Sequence, residues 1–246
     1  MAPKLSLQLW SVKDATAKDF VGTLEAVKEM GYDGVEFAGY GGLAAEELKA
    51  ELDRIGLVTS GSHVSIDALR DDLDGVIAYN KTIGNKYIIC PGADIDTQEK
   101  CEALNKEFLA YNEAIRANGM VFGYHNHYKE FVEFGGKYAF DILLGGDDTM
   151  VYELDTYWSE YAGVDTLAYL GKLGKRCPLV HLKDMKIKED GSKDSCPYGT
   201  GILDNKAIIA AAKKSDPEWF VIEWEADDMD CLEAVRISVE NLKKLV

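Results

Sequence analysis

Short runs of apolar, mostly β-branched or aromatic residues alternate along this chain with longer stretches whose apolar residues recur every three to four positions. The first pattern reads as buried strand and the second as amphipathic helix. The strands are predicted at Leu5 to Trp10, Gly34 to Ala38, Leu57 to Val64, Lys86 to Cys90, Met120 to Asn126, Met150 to Asp155, Leu179 to Lys183 and Trp219 to Trp224. Between and after them, helices are predicted at about Ala17 to Met30, Ala44 to Ile55, Ile66 to Ile83, Thr97 to Asn118, Tyr138 to Leu144, Val164 to Leu173, Asn205 to Lys214 and Cys231 to Leu245. In the first of these, Phe20, Leu24, Val27 and Met30 share one face, and Gly31 follows as a terminating glycine.

Eight strand-helix units of about 31 residues each predict parallel strands, because a βαβ crossover returns the chain in the same direction. Eight units in 246 residues match a (β/α)₈ TIM barrel, an α/β fold with a closed eight-stranded parallel sheet and outer helices. The rival, an open doubly wound sheet, wants a glycine-rich turn after the first strand. Here Ser11-Val12-Lys13-Asp14 follows Trp10, and no glycine appears before Gly22. No linker or low-complexity tract divides the chain, so residues 1–246 are read as a single barrel domain.

Composition narrows the function. The chain has 27 Lys plus Arg against 43 Asp plus Glu, a formal net charge of −16. That charge argues against nucleic acid and anionic membrane as partners, since both need a cationic face. Met1 to Trp10 has no apolar stretch of signal-peptide length, and no run approaches a membrane span. Five irregularly spaced cysteines without a CxxC read as free thiols. Together these features predict a cytoplasmic protein.

Barrel chemistry lies at the C-terminal ends of the strands, and those ends are polar here. Glu36 lies on the second strand and His63 ends the third. The fifth ends Gly-Tyr-His-Asn-His, giving His125 and His127, with Glu130 just beyond. The sixth carries Glu153 and Asp155, the seventh His181, Lys183 and Asp184, and the eighth Glu223 and Glu225. Period-two alternation puts His125 with His127, Glu153 with Asp155, His181 with Lys183, and Glu223 with Glu225 on common faces. Charges inside a barrel cost several kcal/mol each, on the order of the burial penalty of an ion, unless paired or coordinated. Mixed Asp, Glu and His ligation suits one divalent ion such as Mn²⁺, Mg²⁺, Co²⁺ or Zn²⁺. Single residues also have plain readings: Glu153 as a deep hydrogen-bonded group, Asp184 as a loop cap, Lys183 as a counter-charge, and Gly199-Thr200-Gly201 as a turn rather than a phosphate cradle.

In order and spacing, QLWSVKD, GYDGVEF, GYHNHYKEF, ELDTYW, VHLKDM and VIEWE resemble the xylose-isomerase-like TIM barrel superfamily in its sugar phosphate isomerase/epimerase branch. The resemblance covers essentially the whole chain. It implies one divalent metal held by Glu130, Asp155, His181 and Glu223. At the end of strand five, epimerases of the tagatose and psicose type place a Glu; this chain has His125-Asn126-His127, so His125 or His127 is the alternative ligand there. The implied substrate is a small sugar, neutral or keto-bearing for want of an arginine clamp. The implied reaction is proton abstraction beside a carbonyl through an enediolate. On that reading Glu223 is the base, Glu130 or His127 the partner acid or second base, and Lys183 the cation that meets the oxyanion. Trp10, Glu36, His63, His125, Tyr157, Trp158 and Glu225 are expected to contact substrate.

Rival functions share the barrel. A lyase on 3-keto-glycosides or an inosose dehydratase would use the same metal and base. A metal-free sugar- or partner-binding barrel would use neither. A nuclease of the endonuclease-IV type needs more histidines than the four present and a basic face. Phe131, Phe134 and Tyr138 suggest an exposed aromatic patch near the mouth and a possible homo-oligomer.

Overall fold

Strands enclosed between a filled barrel and a layer of helices lose water on both faces, so their apolar runs are nearly continuous. A computed structural model, which describes residues 2–246, has this architecture. Its eight barrel strands are β1 (Lys4–Gln8), β2 (Gly34–Phe37), β3 (Val58–His63), β4 (Tyr87–Cys90), β5 (Val121–His125), β6 (Val151–Asp155), β7 (Leu179–Leu182) and β8 (Trp219–Ile222). All pair in parallel with their sequence neighbours, and β8 closes on β1 with Lys4 opposite Trp219 and Leu7 opposite Ile222. The chain is a (β/α)₈ TIM barrel.

The helices begin where side chains can accept the free N–H groups of a first turn. Asp19 accepts from Gly22 N at 2.9 Å, Thr97 from Lys100 N at 3.3 Å and Asp230 from Glu233 N at 3.0 Å. The helix Ala45–Ile55 ends on Gly56, whose φ of 77° is cheap only without a Cβ.

Among the differences from the sequence expectation, three stand out. The helix expected from Ile66 to Ile83 is two helices, Ile66–Asp71 and Leu73–Thr82. Asp72 leaves the helix at φ −153° and caps Gly75 N at 2.9 Å. A helix at Thr156–Tyr161 follows β6 directly, capped by Asp155 on Trp158 N at 2.9 Å. After β7, Asp184–Ile187 pairs antiparallel with Lys193–Cys196 in a ribbon over the mouth side.

The apolar core lies mainly between strands and helices, where Leu24, Leu48, Phe108, Phe122, Leu154 and Val239 are fully buried. A second cluster fills the lower barrel: Tyr87, Ile89, Val151, Leu179, Trp219 and Val221. Above it the lining turns polar. Ser6 and Ser60 share a 2.6 Å hydrogen bond, and Gln8, Glu36, Glu153, Asp155 and His181 are fully buried.

Candidate metal centre

Two tiers of ionisable side chains occupy the upper barrel. Strand alternation supplies both, since residues two apart on one strand face the same interior at successive heights. Glu153 and Asp155 rise in this way along β6, and His181 and Lys183 along β7.

The lower tier centres on Glu36 and Glu153. Glu36 Oε2 accepts from Gln8 Nε2 at 2.7 Å, stands 2.7 Å from His181 Nε2 and lies 3.2 Å from His63 Nε2. Glu153 Oε2 lies 2.6 Å from His63 Nε2, 3.1 Å from His125 Nδ1 and 3.3 Å from His181 Nε2. Gly61 makes room for this tier, because a Cβ there would stand 2.6 Å from Glu36 Oε1. Burial pushes the Glu153 carboxyl up and Glu36 adds to that, but His181, His63 and the hydrogen bond to His125 prevail and hold it at about 2. Burial likewise opposes charge on Glu36, yet His63 and His181 hold its pKa well below the carboxylate range. Burial opposes charge on His63 as well; Glu36 and Glu153 overcome it and raise the imidazole to about 10.

In the upper tier, His125, Asp155, His181 and Glu223 offer ligand atoms that all lie within 4.8 Å of one another, and all four residues are buried. His181 Nδ1 stands 3.3 Å from Glu223 Oε2. Asp155 Oδ2 is buried without a hydrogen-bond partner, while its Oδ1 caps the following helix. Asn126 fixes this strand end from the side, accepting from Asp155 N at 2.9 Å. Burial raises the Asp155 carboxyl and outweighs nearby Lys183; the Glu223 charge adds to the rise. Burial also disfavours the Glu223 carboxylate, but Lys183 and His181 win and lower its pKa. An orphaned carboxylate oxygen, a second carboxylate and two imidazoles suit a divalent ion with mixed O and N preference. The donor set therefore fits a metal.

Of these four, His125 and Glu223 reach a cavity of about 290 Å³ lined also by Trp10, Ala38, His63, Ser65, Pro91, His127 and Glu225. A larger groove of about 860 Å³ runs alongside, between Lys13–Thr23 and Trp224–Leu232, and meets the cavity only at Glu225. Lys183 is 1% exposed. It forms an ion pair with Glu225 rather than a well-directed hydrogen bond, and its Nζ lies 4.9 Å from the Tyr157 ring centre and 4.8 Å from that of Trp158. The two aromatic faces stabilise a cation that has little other solvation.

Several expectations need correction. Glu130 is buried, but its carboxylate accepts from Tyr124 Oη at 3.0 Å and His127 N at 2.8 Å, apart from both metal-competent groups. The 3₁₀ turn Lys129–Phe131 carries it, and its two hydrogen bonds brace its own loop, so it does not stand with the grouped ligand atoms as expected. His125 is the strand-five side chain that joins Asp155, His181 and Glu223. Glu36, fully buried in the lower tier, does not face the cavity, and Tyr157, 4% exposed, backs Lys183 instead of lining it. His127 lines the cavity, with burial lowering its pKa to about 4. Burial thus favours the neutral imidazole, with one N–H donor and one nitrogen acceptor, over the imidazolium. Trp158 lies tilted beside His127, with ring centres 5.5 Å apart.

Asp184 proves to be a cap. Its Oδ2 accepts from Gly199 N and Gly201 N at 3.0 Å each and from Asn205 Nδ2 at 2.7 Å, and its Oδ1 accepts from Met185 N at 2.8 Å and Leu203 N at 3.3 Å. The amides of the Gly199–Gly201 turn are thus already used. Phe131 is 8% exposed and packs 5.5 Å from both Tyr138 and Tyr169, so it is no exposed patch. The five cysteines are free thiols. Among the described residues no helix is long and apolar enough to cross a membrane.

Three solved structures illustrate the likeness of the fold. A sugar phosphate isomerase/epimerase from Parabacteroides distasonis superposes with a TM-score of 0.83 at 24% identity, over 98% of each chain. An L-ribulose 3-epimerase gives 0.76 at 13% identity, over 99% of this chain and 94% of that one. The IOLI protein with a binding zinc atom gives 0.79 at 14% identity, over 99% of this chain and 98% of that one. No curated protein matches the chain in sequence. The family model for the xylose isomerase-like TIM barrel matches residues 24–245, and with its closed barrel and mouthward cluster of His, Asp and Glu the chain belongs to that family.

Proposed function

We propose that the protein is a divalent-metal-dependent sugar isomerase or epimerase acting on a keto sugar or keto-glycoside. The observation that carries this reading is the convergence of four buried ligand groups, His125, Asp155, His181 and Glu223, beside a cavity of about 290 Å³. The ion would be Mn²⁺, Mg²⁺, Co²⁺ or Zn²⁺. When bound, it supplies Lewis acidity that makes a C–H next to a carbonyl easier to deprotonate.

The chain's own residues do the rest. Glu223, at the cavity wall, takes the proton as a carboxylate; returning it to the neighbouring carbon gives isomerisation, while inversion at one carbon takes delivery from the other face, the role of His127 in the cavity lining. Lys183, turned from Glu225 toward substrate, offsets the negative charge that develops on oxygen. Trp10 and Trp158 provide apolar faces for the sugar ring, and His63, His127 and Glu225 meet its hydroxyls. A neutral sugar is preferred over a phosphosugar because Asp184 already occupies the Gly199 and Gly201 amides. The names of the epimerase neighbours agree with this chemistry.

The test is elemental analysis of the purified protein, followed by solvent deuterium exchange into a panel of keto sugars. About one equivalent of metal and wash-in of deuterium beside the carbonyl are expected. Less than a tenth of an equivalent, with no thermal shift on adding Mn²⁺, would favour a metal-free binding barrel.

One observation favours a second reading. A histidine, His125, takes the strand-five position, and the second carboxylate, Glu130, is locked under its loop. A site with one free carboxylate base suits elimination, as in a keto-glycoside lyase or an inosose dehydratase. Release of the aglycone from a keto-glycoside would mark the lyase; an intact product inverted at one carbon would mark the epimerase.

A further inference from the structure

The two carboxylates of the lower tier, Glu36 and Glu153, do not line the cavity, yet both are fully buried. We infer that Glu36 is a positioning residue that fixes the tautomer of His181, so that His181 meets the ion through Nδ1. This rests on the metal-binding reading above and goes beyond it.

The assignment starts from a backbone amide, which can only donate. Trp10 N donates to Gln8 Oε1 at 3.1 Å, and this settles which end of the Gln8 amide is oxygen. Gln8 Nε2 must then be the group that donates to Glu36 Oε2 at 2.7 Å. Glu36 Oε2 is therefore an acceptor, and the His181 Nε2 that stands 2.7 Å from it must carry a hydrogen. A neutral imidazole protonated at Nε2 has its lone pair on Nδ1. That nitrogen points at Glu223, with Nδ1 3.3 Å from Oε2. A proton on Nδ1 can join the two groups there, and a divalent cation would take that proton's place.

His125 is set in the opposite sense. Its Nδ1 lies 3.1 Å from Glu153 Oε2, which leaves Nε2 for the upper tier. One carboxylate below each imidazole thus selects the nitrogen above. Such carboxylate–histidine–metal relays orient the ring and raise its basicity. Glu36 is itself held by three contacts to its Oε2, while Gly61 lacks the Cβ that would collide with its Oε1, so a shorter or rotated side chain would release His181.

The experiment uses the full chain with ¹⁵N-labelled histidine, loaded with ¹¹³Cd²⁺, with the His181 signals identified by their loss in His181→Gln. A one-bond ¹¹³Cd–¹⁵N coupling at His181 Nδ1, with a retained proton on Nε2, is expected. In parallel, Glu36→Gln is expected to weaken Cd²⁺ and Zn²⁺ binding by about 10–100-fold. The melting curve of the metal-free variant reports whether it folds; if it does not, the coupling in the unmutated protein decides. Coupling at His181 Nε2 would overturn the assignment while leaving the metal site standing, and so would unchanged affinity in a folded Glu36→Gln. A protein that binds no Cd²⁺ at all would bring down both the site and this inference.

Discussion

The lower and upper halves of the barrel interior are lined by the same strands and differ completely in chemistry. On β6, Val151 belongs to the apolar floor, and Glu153 and Asp155 stand two and four residues farther along. On β7, Leu179 lies in the floor and His181 in the ionic tier. The floor follows from folding alone, because each large apolar side chain buried there contributes roughly 1.5–3 kcal/mol. The upper half opposes folding, since each ion must be desolvated before it is paired. Its retention in a closed barrel points to a task other than stability. The two halves should respond to mutation in separable ways.

Glu223→Ala should give the largest effect, with metal content falling below a tenth of an equivalent and deuterium wash-in dropping by about 10³-fold or more. Full metal content in that variant would remove Glu223 from the ligand set and weaken the contrast at its root. Leu179→Ala is the counterpart in the floor. It should lower the unfolding free energy by about 2–5 kcal/mol, measured by urea titration, without altering metal stoichiometry in the folded protein. If metal were lost as well, the two halves would not be separable.

Lys183→Met should lower kcat by about 10²-fold with metal content unchanged, the loss typical of removing one donor to a developing oxyanion. A drop in melting temperature with turnover intact would make Lys183 a counter-charge only. Glu130→Gln should have the smallest effect, sparing both metal and turnover. Burial holds the Glu130 pKa above its ordinary value, so the wild type gains stability from it at acid pH and loses that gain as pH rises through the raised value. The melting temperature of Glu130→Gln minus that of wild type should therefore increase with pH, and a flat difference would mean that Glu130 is not held in this way.

Much of this was legible in the sequence. All eight barrel strands fall where the apolar runs lie, and the helix Asn205–Lys214 has the expected ends. Alternation correctly paired Glu153 with Asp155 and His181 with Lys183 on inward faces. The ribbon Asp184–Ile187 with Lys193–Cys196 was missed because its strands are polar, though Asp190-Gly191 midway is a turn signal. The helix at Thr156 was missed because it follows β6 without a linker; Asp155 three residues before Trp158 was the available cap signal. Height along the barrel axis was harder still. Period two says that Glu36 points inward, but only the packing of β1, β2 and β7 shows that it stops beneath His181. The place of Glu130 was hidden for a related reason, since separation along the chain does not reveal the 3₁₀ turn that carries it.

Lys183 and Asp184 are adjacent in sequence and opposite in fate: one is an inward cation against two aromatic rings, the other an outward anion caught by backbone amides. Because successive residues here face opposite ways, losing one residue from β7 would bring Asp184 to the lysine's place, and gaining one would bring Lys183 to the aspartate's. The loss would put a carboxylate in the lysine's aromatic slot, and the gain would put an ammonium against N–H donors. The reading frame of side chains along β7 is thus constrained from both sides at once, so this strand has room for substitutions but almost none for a change in length.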